Sequence, residues 1–108
     1  MPIETPTAGP KFVLVTGTDA GRVFRLREPS PDDGWSLGRE AAASLRLPDD
    51  PYVASRHARI VERDGRHVLV AGARTFHNWR LMEPGAEAAL AMGDLVGVGM
   101  TMLVYQPG

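Results

Sequence analysis

Trp35-Ser36-Leu37-Gly38-Arg39 and, after a loop, Ala54-Ser55-Arg56-His57-Ala58-Arg59-Ile60-Val61 are the stretches on which the reading of this chain turns. The first alternates apolar and polar residues and ends in a glycine turn, as a short strand does; the second opens a β-branched strand at His57. Between them Pro48 and Pro51 break any regular element, with Asp49, Asp50 and Tyr52 beside them. Two loops at strand ends would therefore carry Arg39, Ser55 and Arg56 on one edge of a β-domain.

Outward from this centre the chain punctuates itself into short strands. Toward the N-terminus, Phe12 to Val15 is one strand, Gly17 to Gly21 a turn, and Arg22 to Arg27 alternates with Phe24 and Leu26 on the buried side. Pro29 to Gly34 is a polar loop, and Leu45 to Leu47 a short strand. Glu40-Ala41-Ala42-Ala43 favours helix but is too short to stand as one. Toward the C-terminus, His57 to Arg63 and Arg66 to Val70 flank Asp64-Gly65, a two-residue hairpin signal. Arg74 to Phe76 and Arg80 to Met82 flank a bend at Asn78-Trp79. Ala86 to Met92 is a helix by propensity, but it is bounded by Gly85 and Gly93 and set among short strands. Leu95 to Val98 and Thr101 to Tyr105 finish the pattern. Many short strands with glycine-rich turns predict an all-β, two-sheet antiparallel β-sandwich of about ten to eleven strands with neighbouring termini. Its expected core is Phe12 or Val13, Phe24, Leu37, Ile60, Val68, Leu95 and Val104.

Composition narrows the function. The 108 residues suit one domain, expected over residues 11–107 behind a flexible, proline-bearing tail at 1–10. Basic and acidic residues balance at 12 against 13, without the basic excess that nucleic-acid binding draws on. Eleven of the twelve cations are arginine, the better fork for phosphate, although genome composition also enriches arginine. No apolar run is long enough to span a membrane. The opening residues lack the pattern of a signal peptide, and there is no cysteine for a disulfide or thiolate metal site. A cytoplasmic protein without cofactor or metal is the expectation.

The order Gly38-Arg39, then His57-Ala58-Arg59-Ile60, then Thr75-Phe76-His77-Asn78 resembles the forkhead-associated (FHA) domain, whose pattern is Gly-Arg, Ser-x-x-His and Asn-Gly. The similarity runs from Lys11 to Tyr105. It implies a β-sandwich that binds phosphothreonine peptides through loops at one rim, and it favours a loop and short strand over Ala86 to Met92. It implies that Arg39 meets the phosphate, that Gly38 and His57 support the binding loops, and that Ser55, Arg56, Arg74, Thr75 and Asn78 complete the rim. A phosphothreonine carries about −1.5 to −2 charge, which a guanidinium can meet with two parallel hydrogen bonds.

The chain departs from that pattern at three places. Ala54 stands where the serine is expected, three before His57; Ser55 is next to it, in a loop about one residue longer than usual. Ala73-Arg74 replaces Asn-Gly, and Trp79 takes the place of a glycine after Asn78. Arg74 is either a substitute phosphate contact or a solvated cation, and Trp79 either a partner anchor or a cover for the end of the sandwich. Two functions follow: a phosphothreonine-binding interaction module in signalling or scaffolding, or a degenerate module docking a protein without phosphate. Single-domain proteins of this kind can also bind a phosphorylated threonine of their own tail, here Thr5 or Thr7; an inert tail is the alternative. An enzyme is the poorest fit. Ser55, His57 and Asp49 or Asp50 lack a defined base and orienter, His67 and His77 lack metal-ligand spacing, and no nucleophile elbow or Walker loop occurs.

Overall fold

The computed structural model describes residues 9–108; the tail threonines Thr5 and Thr7 lie outside them. Eleven strands follow in order: β1 Lys11–Leu14, β2 Val23–Arg25, β3 Trp35–Gly38, β4 Leu45–Arg46, β5 Ala58–Arg63, β6 Arg66–Ala71, β7 Thr75–His77, β8 Arg80–Met82, β9 Glu87–Ala89, β10 Leu95–Val98 and β11 Thr101–Gln106. They form a six-stranded sheet, β2-β1-β11-β10-β7-β8, and a five-stranded sheet, β4-β3-β5-β6-β9. The predicted sandwich is thus present, with one difference: β4 runs parallel to β3, with Leu37 opposite Leu45. A parallel neighbour needs a crossover, supplied here by residues 39–44. Ala86 to Met92 contains β9, paired with β6 through Leu69 and Ala88, so sheet pairing prevails there over helix propensity.

Phe12, Leu37, Leu45, Ile60, Leu69, Val96, Val98 and Leu103 fill the space between the sheets, with Phe24, Leu26 and Trp35 toward its margins. Phe12, not Val13, faces inward. Val68, Leu95 and Val104, expected in the core, are only half-buried; their neighbours Leu69, Val96 and Leu103 take those places. Val104 lies opposite both Val13 and Leu95 on the outer face of the six-stranded sheet. The β5–β6 hairpin closes as its sequence predicts: Arg63 is opposite Arg66, and Asp64 and Gly65 both take positive φ. The start of β1 and the end of β11 are adjacent, since Lys11 pairs with Gln106. Turns β1–β2 and β10–β11 lie at one end of the sandwich with loops β3–β4, β4–β5 and β6–β7. The start of β1, the end of β11 and the β5–β6 turn lie at the other. No helix is long and apolar enough to cross a membrane among the described residues.

Candidate binding rim

The rim is built from backbone first. The Arg39 amide donates to the Ala54 carbonyl and the Glu40 amide to the Ser55 carbonyl, so loop β3–β4 is laced onto loop β4–β5. This approach requires glycine at 38: a Cβ there would stand 2.1 Å from the Ser55 carbonyl oxygen, against backbone that cannot swing aside. His57 then ties on the third loop. Its amide donates to Leu37, and its carbonyl accepts from both Gly72 and Ala73. Its buried ring accepts from the Ala54 amide at Nδ1 (3.0 Å) and meets the Arg74 carbonyl through Nε2 (2.7 Å). The Nδ1 acceptor role fixes the tautomer, so Nε2–H donates to Arg74. Neither nitrogen is left to serve Ser55 as a base.

A second clasp underlies the long β4–β5 loop. Asp50 is buried and accepts from the Tyr52 amide on one oxygen, and from the Met100 amide and the Thr101 hydroxyl on the other. Burial pushes its carboxyl up, but the Thr101, Tyr52 and Met100 hydrogen bonds, with a smaller pull from His57, leave it below the ordinary aspartate value. Val53 is buried beside it. In the sequence Asp50 stands out only as a conceivable catalytic group. The signal for its role was local: an Asp two residues before Tyr52 can bond the backbone two residues on.

On this support stand the solvent-facing groups. Arg39, Ser55, Arg56 and Arg74 are all exposed on the joined loops. Arg56 is paired with Glu40 at 2.9 Å, and Arg74 lies 3.7 Å from Glu83. Arg39 has no ion-pair partner among the described residues. Ala54 is exposed and Ala73 half-exposed, so methyl groups occupy both places where the pattern would put a polar donor.

Two expected rim contacts are placed elsewhere. Thr75 is fully buried and its hydroxyl donates to the Ala73 carbonyl, so it shapes the loop from beneath. Asn78 sits past β7, away from the rim. Its Oδ1 accepts from the Leu95 amide, its Nδ2 donates to Asp94, and its backbone holds positive φ in the β7–β8 turn. Asp94 also receives His77 Nε2 at 2.8 Å and the Ala91 amide. Burial raises the Asp94 carboxyl, while the His77, Ala91 and Asn78 bonds lower it further, to a net depression. His77 is thus a turn brace.

The family profile of the FHA domain matches residues 35–99, which spans the rim loops with His57 and Asp50. An oxoglutarate dehydrogenase inhibitor of Corynebacterium diphtheriae is 31% identical over 96% of this chain and 70% of its own length. The glycogen accumulation regulator GarA of Mycolicibacterium smegmatis is also 31% identical, over 95% of this chain and 62% of its own length. The chain therefore spans less than two thirds of the second relative. A solved FHA domain studied for phosphothreonine-dependent interactions superposes with a TM-score of 0.72 at 28% identity, covering 94% of this chain and 98% of that one.

Proposed function

Because this chain belongs to the FHA domain family, we propose that it is a protein-interaction module that binds phosphothreonine-bearing segments of a protein partner at the Arg39 rim. One observation carries the reading. Of the three rim arginines, Arg56 and Arg74 each have a glutamate within ion-pair distance, whereas Arg39 faces solvent with no carboxylate partner among the described residues. It stands on a turn that Gly38, His57 and two backbone hydrogen bonds hold in place. An uncompensated guanidinium on a fixed backbone turn is suited to a dianion: no carboxylate has to be displaced, and only the side chain is left for the ligand to order. Ser55 and Arg56 flank it on the facing loop, and Arg74 on the third. The bound peptide would lie across loops β3–β4, β4–β5 and β6–β7. The chemistry is recognition; Arg39 supplies charge-assisted hydrogen bonds and no reaction step is assigned.

A second reading has its own observation. With alanine at 54 and 73, the phosphate meets fewer side-chain donors than the family pattern provides, which favours docking that does not depend on phosphate. Titrating one peptide in phosphorylated and unphosphorylated forms separates the two. On the first reading phosphorylation strengthens binding, and Arg39→Ala costs the phosphorylated form about 2–5 kcal/mol, as truncating one member of a charge pair does. Equal affinities for both forms, unchanged by Arg39→Ala, would leave phosphate-independent docking.

A further inference from the structure

We propose a divalent transition-metal site at the opposite end of the sandwich from the rim, formed by Glu28, Glu62 and His67, with zinc as its representative ion. Glu62 and His67 are directly opposed across the β5–β6 hairpin. They continue the inward-facing rows of Ile60 and Leu69, so both project between the two sheets where the apolar core has ended. Glu28 reaches the same point from the chain after β2, on the side of the other sheet. One donor atom from each of the three lies within 4.8 Å of the other two, and Glu62 Oε2 is 3.7 Å from His67 Nε2.

The second observation concerns that nitrogen. The His67 side chain is only 10% exposed, packed edge-on to both Trp35 and Tyr105. Its Nε2 is buried and has no hydrogen-bond partner among the described residues. Buried ring nitrogens are ordinarily paired, and one left over calls for an explanation such as an ion. The other nitrogen, Nδ1, is 2.6 Å from the Tyr105 hydroxyl. If Nδ1–H donates to Tyr105, the Nε2 lone pair points at the two carboxylates. That is how a metal-ligating histidine is usually oriented, its second nitrogen held by an outer partner.

The dimensions suit a small cation. With metal–ligand distances of about 2.0–2.2 Å, tetrahedral donors stand about 3.3–3.6 Å apart. The Glu62–His67 pair is close to that already. Both glutamates are exposed and free to close the rest by side-chain rotation, and neither has an Arg or Lys ion-pair partner among the described residues. One imidazole and two carboxylates suit zinc and its first-row neighbours better than magnesium, which favours an all-oxygen shell. Bound there, the ion would join the segment between β2 and β3 to the β5–β6 hairpin, tying one sheet to the other. A ligand that binds only the folded state raises its unfolding midpoint.

Isothermal titration of the full chain, free of any tag, with zinc chloride at pH 7.5 is the first measurement. One ion per chain is expected, with a higher thermal midpoint and no competition from millimolar magnesium. Glu28→Gln and Glu62→Gln, both at exposed positions, should each weaken binding at least about tenfold, and Tyr105→Phe about 10–100-fold through loss of the outer hydrogen bond. Zinc should shift the His67 ring nitrogen resonances while those of His57 and His77 stay in place. Absence of stoichiometric binding overturns the site. So does affinity unchanged in the folded Glu28→Gln/Glu62→Gln double variant, or a zinc-induced shift at His57 or His77 instead of His67.

Discussion

The underside of the rim and its outer surface differ sharply in how completely their polar groups are used. Beneath, His57 engages both ring nitrogens and both backbone groups, and Asp50 accepts three hydrogen bonds from two parts of the chain. Above, Ala54 and Ala73 offer methyl groups, and two of three arginines have acidic neighbours. The support is complete where the recognition surface is reduced. A buried polar group left unpaired destabilises the whole fold, whereas an exposed group can be lost at no cost to folding. Loop architecture and ligand affinity are therefore separable properties of this domain, and substitutions on the two sides should fail in different ways.

The largest expected effect lies underneath. His57→Ala removes a buried ring and leaves the part-buried Ala54 amide and Arg74 carbonyl without their partners. Each such group costs about 1–3 kcal/mol, so urea denaturation should show a loss of about 2–5 kcal/mol and peptide binding should fail with it. A variant that keeps its stability would mean that water replaces the ring and that the support is not what holds the rim.

Next comes the surface. Ala54→Ser with Ala73→Asn adds two donors at the places where the family pattern has them. A regained serine bond to the charged phosphate contributes about 1.5–3 kcal/mol, and an asparagine bond to the neutral peptide backbone about 0.5–1.5 kcal/mol, before ordering costs. Stability should stay within about 0.5 kcal/mol, as at most surface positions. Calorimetry with a phosphothreonine peptide tests this. No gain would mean that Ser55 and Arg74 already fill those roles and that the apparent depletion of the surface is only a shift along the loops.

Asp50→Asn probes the support more gently. Three donors converge on two carboxylate oxygens, and an amide presents its own N–H groups to some of them, at a cost of about 1.5–3 kcal/mol. The sign with pH is definite. The folded carboxyl titrates below its unfolded value of about 3.9, so its contribution is fully present above that value and is lost as pH falls through the folded one. Urea midpoints of the two proteins should therefore differ most above about pH 5 and converge in stronger acid. Midpoints that stay equally far apart down to pH 2 would remove the charge from the account.

Much of this architecture is legible in the sequence. Asp64-Gly65 closes its hairpin as written, Phe24 and Leu26 face inward by their alternation, and Gly38-Arg39 with His57 pointed to the rim. The errors cluster in one kind of segment. Val68-Leu69-Val70, Leu95-Val96 and Met102-Leu103-Val104 are continuous apolar runs, so they carry no phase telling which residue faces in. The phase comes from tertiary register, such as Val104 opposite Val13, and a one-residue slip reverses every facing. Thr75 and Asn78 were misplaced for a related reason. A motif position indicates proximity to a rim in sequence, but the direction of a strand decides whether a side chain points to ligand, to core or to the next turn. Clasps such as Asp50 on Met100 join residues fifty apart, a distance over which a single sequence gives no signal.

The smallest expected effect lies far from the rim and tests whether strain resides elsewhere in the molecule. Trp79 occupies the second position of the two-residue turn between His77 and Arg80, at φ 71°. Asn78, at φ 50° before it, belongs to a residue type that tolerates the left-handed region, and its side chain is anchored on Leu95 and Asp94. Tryptophan has no such tolerance, and the left-handed conformation costs an ordinary residue roughly 1–2 kcal/mol. Packing gives little in return, because the side chain is 70% exposed. It does not cover the end of the sandwich, one of the two roles open to it from the sequence. Trp79→Gly removes the strain but gives the unfolded chain more freedom, by about 0.4–1 kcal/mol. The net expectation is a stabilisation of about 0.5–1 kcal/mol, read as a higher urea midpoint with unchanged slope, and phosphopeptide affinity at the rim unaltered. Loss of a partner protein's binding in that same stabilised variant would identify Trp79 as an anchor held in a strained conformation for contact. A destabilised variant would show instead that the indole packs against the sheet in solution, and the contrast between a well-supported rim and a strained distal turn would be gone.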